Sequence, residues 1–172
     1  MRPSLPKPAL IQQFLRRLRL SRSAILPVTP LDPHYAAGQC HVNVAHRVRE
    51  AGGQVVPGWL LRPGMINEAA YHAVWQPPGG TALVDPTPRA GDEARLVFLP
   101  DPARRIAPSA VPGCDLLLWA DRILGLQDMP AVFQGRPSAE RVDIAFDAAA
   151  HHALRQLGLT PAGAVAIGHR PG

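Results

Sequence analysis

The sequence contains little cysteine, little charge and no long run of apolar residues, and each shortage excludes a class of protein. Two cysteines, Cys40 and Cys114, are too few for a disulfide framework, so a reducing compartment is the simpler expectation. No window approaches the roughly 18 consecutive apolar residues of a membrane-spanning helix. The first eight residues lack the hydrophobic region of a signal peptide. We therefore expect a cytoplasmic protein without a membrane span, and we leave open secretion by a route that needs no signal peptide.

The residues that are present indicate a globular chain. Hydrophobic residues make up 47% and charged residues 18% of the 172 residues, which favours a folded domain over a disordered chain. This length is sufficient for one domain with a core. Twenty prolines and fifteen glycines predict many turns and short elements.

The net charge of +5 is concentrated at the N-terminus. Residues 1–31 contain six basic residues and no acid, whereas the rest of the chain contains 12 basic and 13 acidic residues. We therefore divide the chain into a basic N-terminal arm, 1–31, and a single domain, 32–172. The arm contains an amphipathic helix, and we expect its charge to be the solvated face of that helix. The alternatives are an acidic partner, a lipid surface or an organelle-targeting role; we do not expect nucleic acid as a partner.

The hydrophobic patterns predict an α+β fold. The predicted helices are 9–20, with Leu10, Phe14, Leu15 and Leu18 on one stripe, 39–51, and 138–157 with Ser138 as its cap. The predicted strands are 54–61, 70–75, 81–85 and 95–99. We leave 114–126 open between helix and strand, and we expect the tail, with Gly163, Gly168, Pro171 and Gly172, to fray. Helices followed by neighbouring strands suggest one domain in which a helix packs on an antiparallel sheet.

Three residues have a local context that suits a thiol catalytic site. Cys40 begins the second predicted helix after a turn of small residues, and it lies four residues before Val44, on the inward side of that helix. His72 lies in an apolar, strand-like run, and Asp85 ends the next such run. If the three meet, the chain carries a nucleophile, a base and a carboxylate.

The turn between the two runs provides a reason for His72 and Asp85 to meet. Gln76 to Gly80 is rich in proline and glycine and predicts a hairpin turn. A symmetric turn centred between Pro78 and Gly79 places His72 directly opposite Asp85, on one face of the hairpin. A slip of one residue would place them on opposite faces.

The chemistry of a thiol nucleophile assigns a role to each residue. A helix N-terminus and a neighbouring imidazolium lower the pKa of a thiol and favour the thiolate, which here would be Cys40. His72 would act as base and then as acid, and Asp85 would orient its ring. The side chain of Gln39, or the backbone N–H of Cys40, would donate to the oxyanion.

These residues resemble the transglutaminase-like branch of the papain-like cysteine enzymes. The resemblance covers residues 36–90 and consists of a Cys at a helix start, a His on one strand and an Asp on the next, in the strings His72-Ala73-Val74-Trp75 and Leu83-Val84-Asp85-Pro86-Thr87. It implies a peptidase, amidase, deamidase or transglutaminase, and it does not choose among them.

The chain departs from the family pattern at three points. Trp75 follows His72 by three positions where members have an aromatic residue two positions on. His41 follows Cys40 where members often have a hydrophobic residue. The spacing of 32 residues from Cys40 to His72 is short and implies a compact core.

Each residue also has a purely structural interpretation. A lone buried cysteine, a core histidine and an aspartate before a proline are common, and it is the order and register together that favour the triad. We expect Cys114 in the core, and Trp59 and Trp75 in the core or in the wall of a substrate pocket.

A metal site is the less favoured interpretation. Zinc could use Cys40, His72 and Asp85, but the sequence has no closely spaced ligand pair, and the other histidines considered are His41, His46, His151 and His152. We expect no metal and no organic cofactor, because no phosphate loop or dinucleotide motif is present.

The sequence therefore predicts a cysteine-dependent acyl-transfer enzyme that attacks the amide bond of a peptide or protein substrate. Hydrolysis is favoured because it needs only water. The alternatives are transfer to an amine, a non-catalytic interaction module on the same fold, and a zinc-binding protein.

Overall fold

A computed structural model describes residues 5–28, 33–62, 68–89, 95–119, 123–124 and 141–168. The elements in chain order are α1 Pro8–Leu18, β1 Ala24–Pro27, α2 Cys40–Ala51, β2 Gln54–Arg62, β3 Glu68–Gln76, β4 Arg95–Pro100, β5 Ala107–Pro108, β6 Leu116–Trp119, β7 Ile123–Leu124, β8 Arg141–Ile144, α3 Ala148–Gln156 and α4 Pro161–Gly168.

The strands form two antiparallel sheets. The larger has five strands in the order β1-β4-β2-β3-β7, and the smaller has three in the order β5-β6-β8. Helix α2 packs on β3 and against α4. The mixture of helices and antiparallel sheet confirms the predicted α+β class. No helix in the described ranges combines the length and the apolar character that crossing a membrane requires.

The basic N-terminal segment is packed into the main core. Phe14, Leu15 and Leu18 of α1 lie in one buried cluster with Trp59 and Leu99 of the sheet, and β1 pairs with β4. Residues 8–27 are therefore part of the core of the domain, whereas we had predicted from the sequence that 1–31 forms a separate arm. The acidic partner of this segment stays a prediction.

Helix α2 begins at Cys40 and ends at Ala51, as predicted. Gly38 supplies a positive φ of +78° in the turn before it, and Gly52 caps its end with a backbone N–H to the Val48 carbonyl at 3.0 Å. Val44 and Val48 are buried against Ala73 of β3. Ala51, which was expected on the same apolar face, is exposed.

The helix predicted over 138–157 is wrong in its first half. Arg141–Ile144 forms β8, because polar and apolar residues alternate there with the period of a strand. The helix begins only at Ala148, where the Asp147 carboxylate accepts from the Ala150 N–H at 2.7 Å. Ser138, the expected cap, lies outside the described residues.

Two further segments are assigned by the structure: the prediction for one was wrong, and the other had been left open between helix and strand. Residues 161–168, expected to fray, form α4, which begins with a proline and buries Ala164 and Val165. Pro171 and Gly172 lie outside the described residues. The region 114–126, left open by the sequence, contains the short strands β6 and β7.

Candidate active site

Cys40 and His72 are brought together by the packing of α2 on β3. Both side chains are buried, Cys40 with 7% and His72 with 5% of its surface exposed, yet both line one cavity of about 180 Å³. Cys40 lies in the first turn of α2, where backbone N–H groups have no partner within the helix and where the helix dipole favours a negative charge. The structure therefore places the thiol beside the imidazole, at an electropositive helix end.

His72 and Asp85 form a close pair. Nε2 of His72 lies 2.9 Å from Oδ2 of Asp85, and Asp85 is 1% exposed. Because Asp85 occupies Nε2, the nitrogen left for the Cys40 thiol is Nδ1. The three groups thus lie in series along one imidazole ring.

The hairpin register behind this pair differs from the predicted one. Residues 81–85 form no strand, and they make a single bridge, in which Val84 pairs with Trp75. The symmetric register had placed Val84 opposite Ala73, so the pairing is offset by two residues. An offset of two keeps every side chain on its predicted face, and Asp85 reaches His72 diagonally across the hairpin.

The Asp85 carboxylate is held by two further donors. The backbone N–H of Thr87 donates to Oδ1 at 3.0 Å, and Arg89 Nη2 donates to Oδ2 at 3.1 Å. Burial alone would raise the pKa of Asp85, but the hydrogen bond and charge of His72, together with Thr87 and Arg89, lower it. The carboxylate is therefore kept ionised beside the imidazole.

The thiol and the imidazole shift each other's pKa in opposite directions. Burial would raise the pKa of Cys40, but the charges of His41 and His72 and hydrogen bonds to both rings hold it well below its usual range. Burial would lower the pKa of His72, but the Cys40 thiolate and the hydrogen bond to Asp85 raise it to about 9. These directions favour a thiolate–imidazolium pair near neutral pH.

His41 belongs to the site, although the sequence reading treated it as a departure from the family and as a metal candidate. Its ring lies 5.8 Å from the Tyr71 ring, centroid to centroid, and its Nδ1 is buried without a hydrogen-bond partner. The His41 ring is one of the two rings whose charge and hydrogen bond lower the pKa of Cys40. Its position next to Cys40 was the one signal that could have identified it.

Asn43 is a second residue that the sequence reading missed. Its side chain is fully buried and its Nδ2 donates to the Ala36 carbonyl at 2.9 Å and to Thr87 Oγ1 at 3.3 Å. Asn43 therefore joins the helix that carries Cys40 to the segment that carries Asp85.

Gln39 occupies the N-cap position of α2, and its side chain makes no capping hydrogen bond. It lines a second cavity of about 150 Å³ together with Gly38, Cys40 and His41. Gln39 therefore lines a cavity that Cys40 also lines, and its role as oxyanion donor stays a prediction.

The two tryptophans do not line the cavities beside Cys40. Trp59 is fully buried, and its Nε1 donates to Asp101 Oδ2 at 2.8 Å, so it is a core residue rather than a pocket wall. Trp75 donates from Nε1 to the Gly52 carbonyl at 2.9 Å and lies under the Arg47 guanidinium. The cavities that Cys40 lines lie near the start of α2, and both indoles contact other neighbours.

Cys114 was expected in the core, but it is only partly buried. It follows Gly113 in a turn, where its N–H donates to the Val111 carbonyl at 3.1 Å. Neither cysteine forms a disulfide.

The histidines considered as metal ligands are dispersed. His46 contacts Tyr35 and Glu50, and His151 packs against Phe146. Within the described ranges, no group of three or more histidine, cysteine and acidic side chains is arranged to hold a metal ion.

The two cavities meet at Gly38 and Cys40, which line both. The second is walled on its far side by residues from β8 to α3, among them Ile144, Phe146 and Asp147. An acyl group lying over Cys40 would therefore have a cavity on either side.

Comparison of the chain with protein-family models, with curated proteins and with solved structures finds no match.

Proposed function

We propose that the protein is a cysteine-dependent acyl-transfer enzyme with a papain-like or transglutaminase-like core, which acts on amide bonds of a peptide or protein substrate. The observation that carries the proposal is the buried series of Cys40, His72 and Asp85, with 2.9 Å between His72 Nε2 and Asp85 Oδ2 and with the thiol opening into two cavities. No simple structural role requires a thiol, an imidazole and a carboxylate in this order.

The mechanism follows from the protonation states. The Cys40 thiolate attacks the amide carbonyl, and donors at the start of α2, with Gln39 as a candidate, stabilise the oxyanion. The His72 imidazolium then donates its proton to the leaving amine, and neutral His72 activates the incoming water. Asp85 holds the ring orientation and stabilises the imidazolium. None of these steps calls for a metal or an organic cofactor.

We favour hydrolysis, in which water accepts the acyl group from Cys40. Cys40 lines both cavities, and water as the acceptor needs no further binding site. Transfer to an amine is the alternative, and it would need a site for the acceptor. The two free cysteines fit the cytoplasmic location that we propose.

Selective alkylation tests the proposal. At pH 6.5 we expect iodoacetamide to label Cys40 at least about tenfold faster than Cys114, because only an activated thiol is a thiolate at that pH. Cys114 is the more exposed of the two cysteines, so this order cannot arise from accessibility. His72→Ala should abolish the preference, and His152→Ala, a change at an exposed position on α3, should preserve it.

Equal, slow labelling of both cysteines in the folded protein would reject the enzyme and favour the non-catalytic module. Stoichiometric zinc in protein purified without chelator, lost in Cys40→Ala, would favour the zinc-binding alternative.

A further inference from the structure

The cavity that Cys40 and His72 share has a basic wall. Arg62 from the end of β2 and Arg89 from the segment after Asp85 both line it, and the described residues around it include no acidic side chain. The acids that pair with these arginines, Glu68 and Asp85, are not part of the wall. The wall of this cavity therefore carries two guanidinium groups and no carboxylate among the described residues.

Arg89 holds a donor without an acceptor. Its side chain is 15% exposed, and its Nη2 donates to Asp85 Oδ2 at 3.1 Å. Its Nε is buried and has no hydrogen-bond partner. A buried N–H without an acceptor is unfavourable, and a small shift of the Arg89 side chain toward a ligand oxygen in the cavity would supply that acceptor.

Arg62 is available at little cost. It is 52% exposed, and its contact with Glu68 is long, at 3.3 Å. An ion pair this exposed contributes little to stability, so Arg62 can turn toward a ligand without a large loss. The guanidinium groups of Arg62 and Arg89 are suited to the planar, two-oxygen geometry of a carboxylate.

We propose that this cavity is a carboxylate-binding site, and that the enzyme selects acyl substrates with a carboxylate group close to the scissile carbonyl. This inference rests on the proposed function and adds its substrate class. The cavity volume of about 180 Å³ admits a group the size of an acidic side chain. The second cavity that Cys40 lines, with Ile144, Phe146 and Asp147 on its wall, would hold the other side of the same substrate.

Two alkylating reagents that differ only in charge test the site. Iodoacetate carries a carboxylate next to its reactive carbon, and iodoacetamide is its neutral counterpart. We divide the rate with iodoacetate by the rate with iodoacetamide, and we expect this ratio at Cys40 to exceed the same ratio at N-acetylcysteine by about tenfold or more. Charge-assisted hydrogen bonds to the carboxylate provide a preference of that size. Arg62→Gln and Arg89→Gln should each lower the ratio, and Arg89→Lys, which keeps the charge but lacks the planar fork, should give an intermediate value.

Arg22→Gln is the matched control, because it removes the same charge from an exposed position that does not line the cavity; it should keep the wild-type ratio. A ratio at Cys40 equal to or below that of N-acetylcysteine would overturn the carboxylate site. The ratio can be measured even for a thiol that is not activated. Slow reaction of Cys40 with both reagents would reject the proposed enzyme, and the ratio of the two rates would still show whether the carboxylate site exists.

Discussion

Replacing Asp85 by asparagine tests the part of the site that supports His72. The change removes the negative charge 2.9 Å from His72 Nε2 and keeps the size of the side chain. Asp85 and His72 are 1% and 5% exposed, so water cannot take the place of the lost charge. The asparagine oxygen can still accept from the Thr87 N–H, as Oδ1 of Asp85 does at 3.0 Å, and we expect Asp85→Asn to fold.

The magnitude follows from the kind of hydrogen bond that is lost. A hydrogen bond to a charged group contributes about 1.5–3 kcal/mol, which corresponds to roughly 10- to 150-fold in an equilibrium or a rate. This free energy stabilises the imidazolium but not neutral His72. The equilibrium constant that favours the thiolate–imidazolium pair of Cys40 and His72 over the neutral pair should fall by about the same factor, between roughly 10- and 150-fold.

The assay is the rate of Cys40 alkylation by iodoacetamide at pH 6, followed by mass spectrometry. Asp85→Asn should slow this rate, by up to the factor given above, as the thiolate–imidazolium pair gives way to the unreactive neutral pair. Asp143→Asn, which makes the same change at an exposed position, is the control and should react like the wild type. A folded Asp85→Asn protein that reacts within twofold of the wild type would refute the role of the carboxylate.

Two further predictions concern the proton equilibria and the backbone. The pKa of Cys40 is lowered and that of His72 is raised to about 9. The His72 imidazolium should therefore lose its proton only as the pH rises through about 9, and an NMR titration of the His72 ring would record this. Titration of His72 near its ordinary pKa would contradict the ion pair. Gly58→Ala would place Cβ 2.3 Å from the Leu99 carbonyl oxygen, and it should lower the free energy of unfolding by about 1–3 kcal/mol in chemical denaturation. Gly80→Ala is the control, because its Cβ would have no neighbour closer than 3.6 Å, and it should cost less than about 0.5 kcal/mol. Equal losses of stability in the two variants would contradict the close strand contact at Gly58.

The regular elements were predictable where one periodicity dominates. The predicted strands over 54–61, 70–75 and 95–99 correspond to β2, β3 and β4, and helices α1 and α2 begin and end within two residues of their predicted bounds. The helix predicted over 138–157 failed because the helical pattern of 148–156 was extended back over the alternating residues of β8. Asp147, the true cap, was passed over in favour of Ser138.

The contact between His72 and Asp85 was predictable, but the details of the cluster around it were not. His72 and Asp85 were placed on one face because a hairpin preserves the alternation of its side chains. The exact register was wrong, because the turn is asymmetric and residues 81–85 pair at Val84 alone. The sequence could not show that Asn43 bonds Thr87, or that Arg62 and Arg89 share a cavity, since these contacts join segments whose approach depends on the packing of α2 against the sheet.

The order of elements along the chain separates the chemistry of the site from its surroundings. Cys40 of α2, His72 of β3 and Asp85, which follows β3, all lie within residues 40–85. Their mutual contacts close loops that are short in the chain, which is typical of parts of a protein that form early in folding. The far wall of the second cavity, Ile144 to Ala150, joins them from much later in the chain. Substitutions in that late segment can therefore reshape one side of the cleft, while Cys40, His72 and Asp85 keep their own contacts.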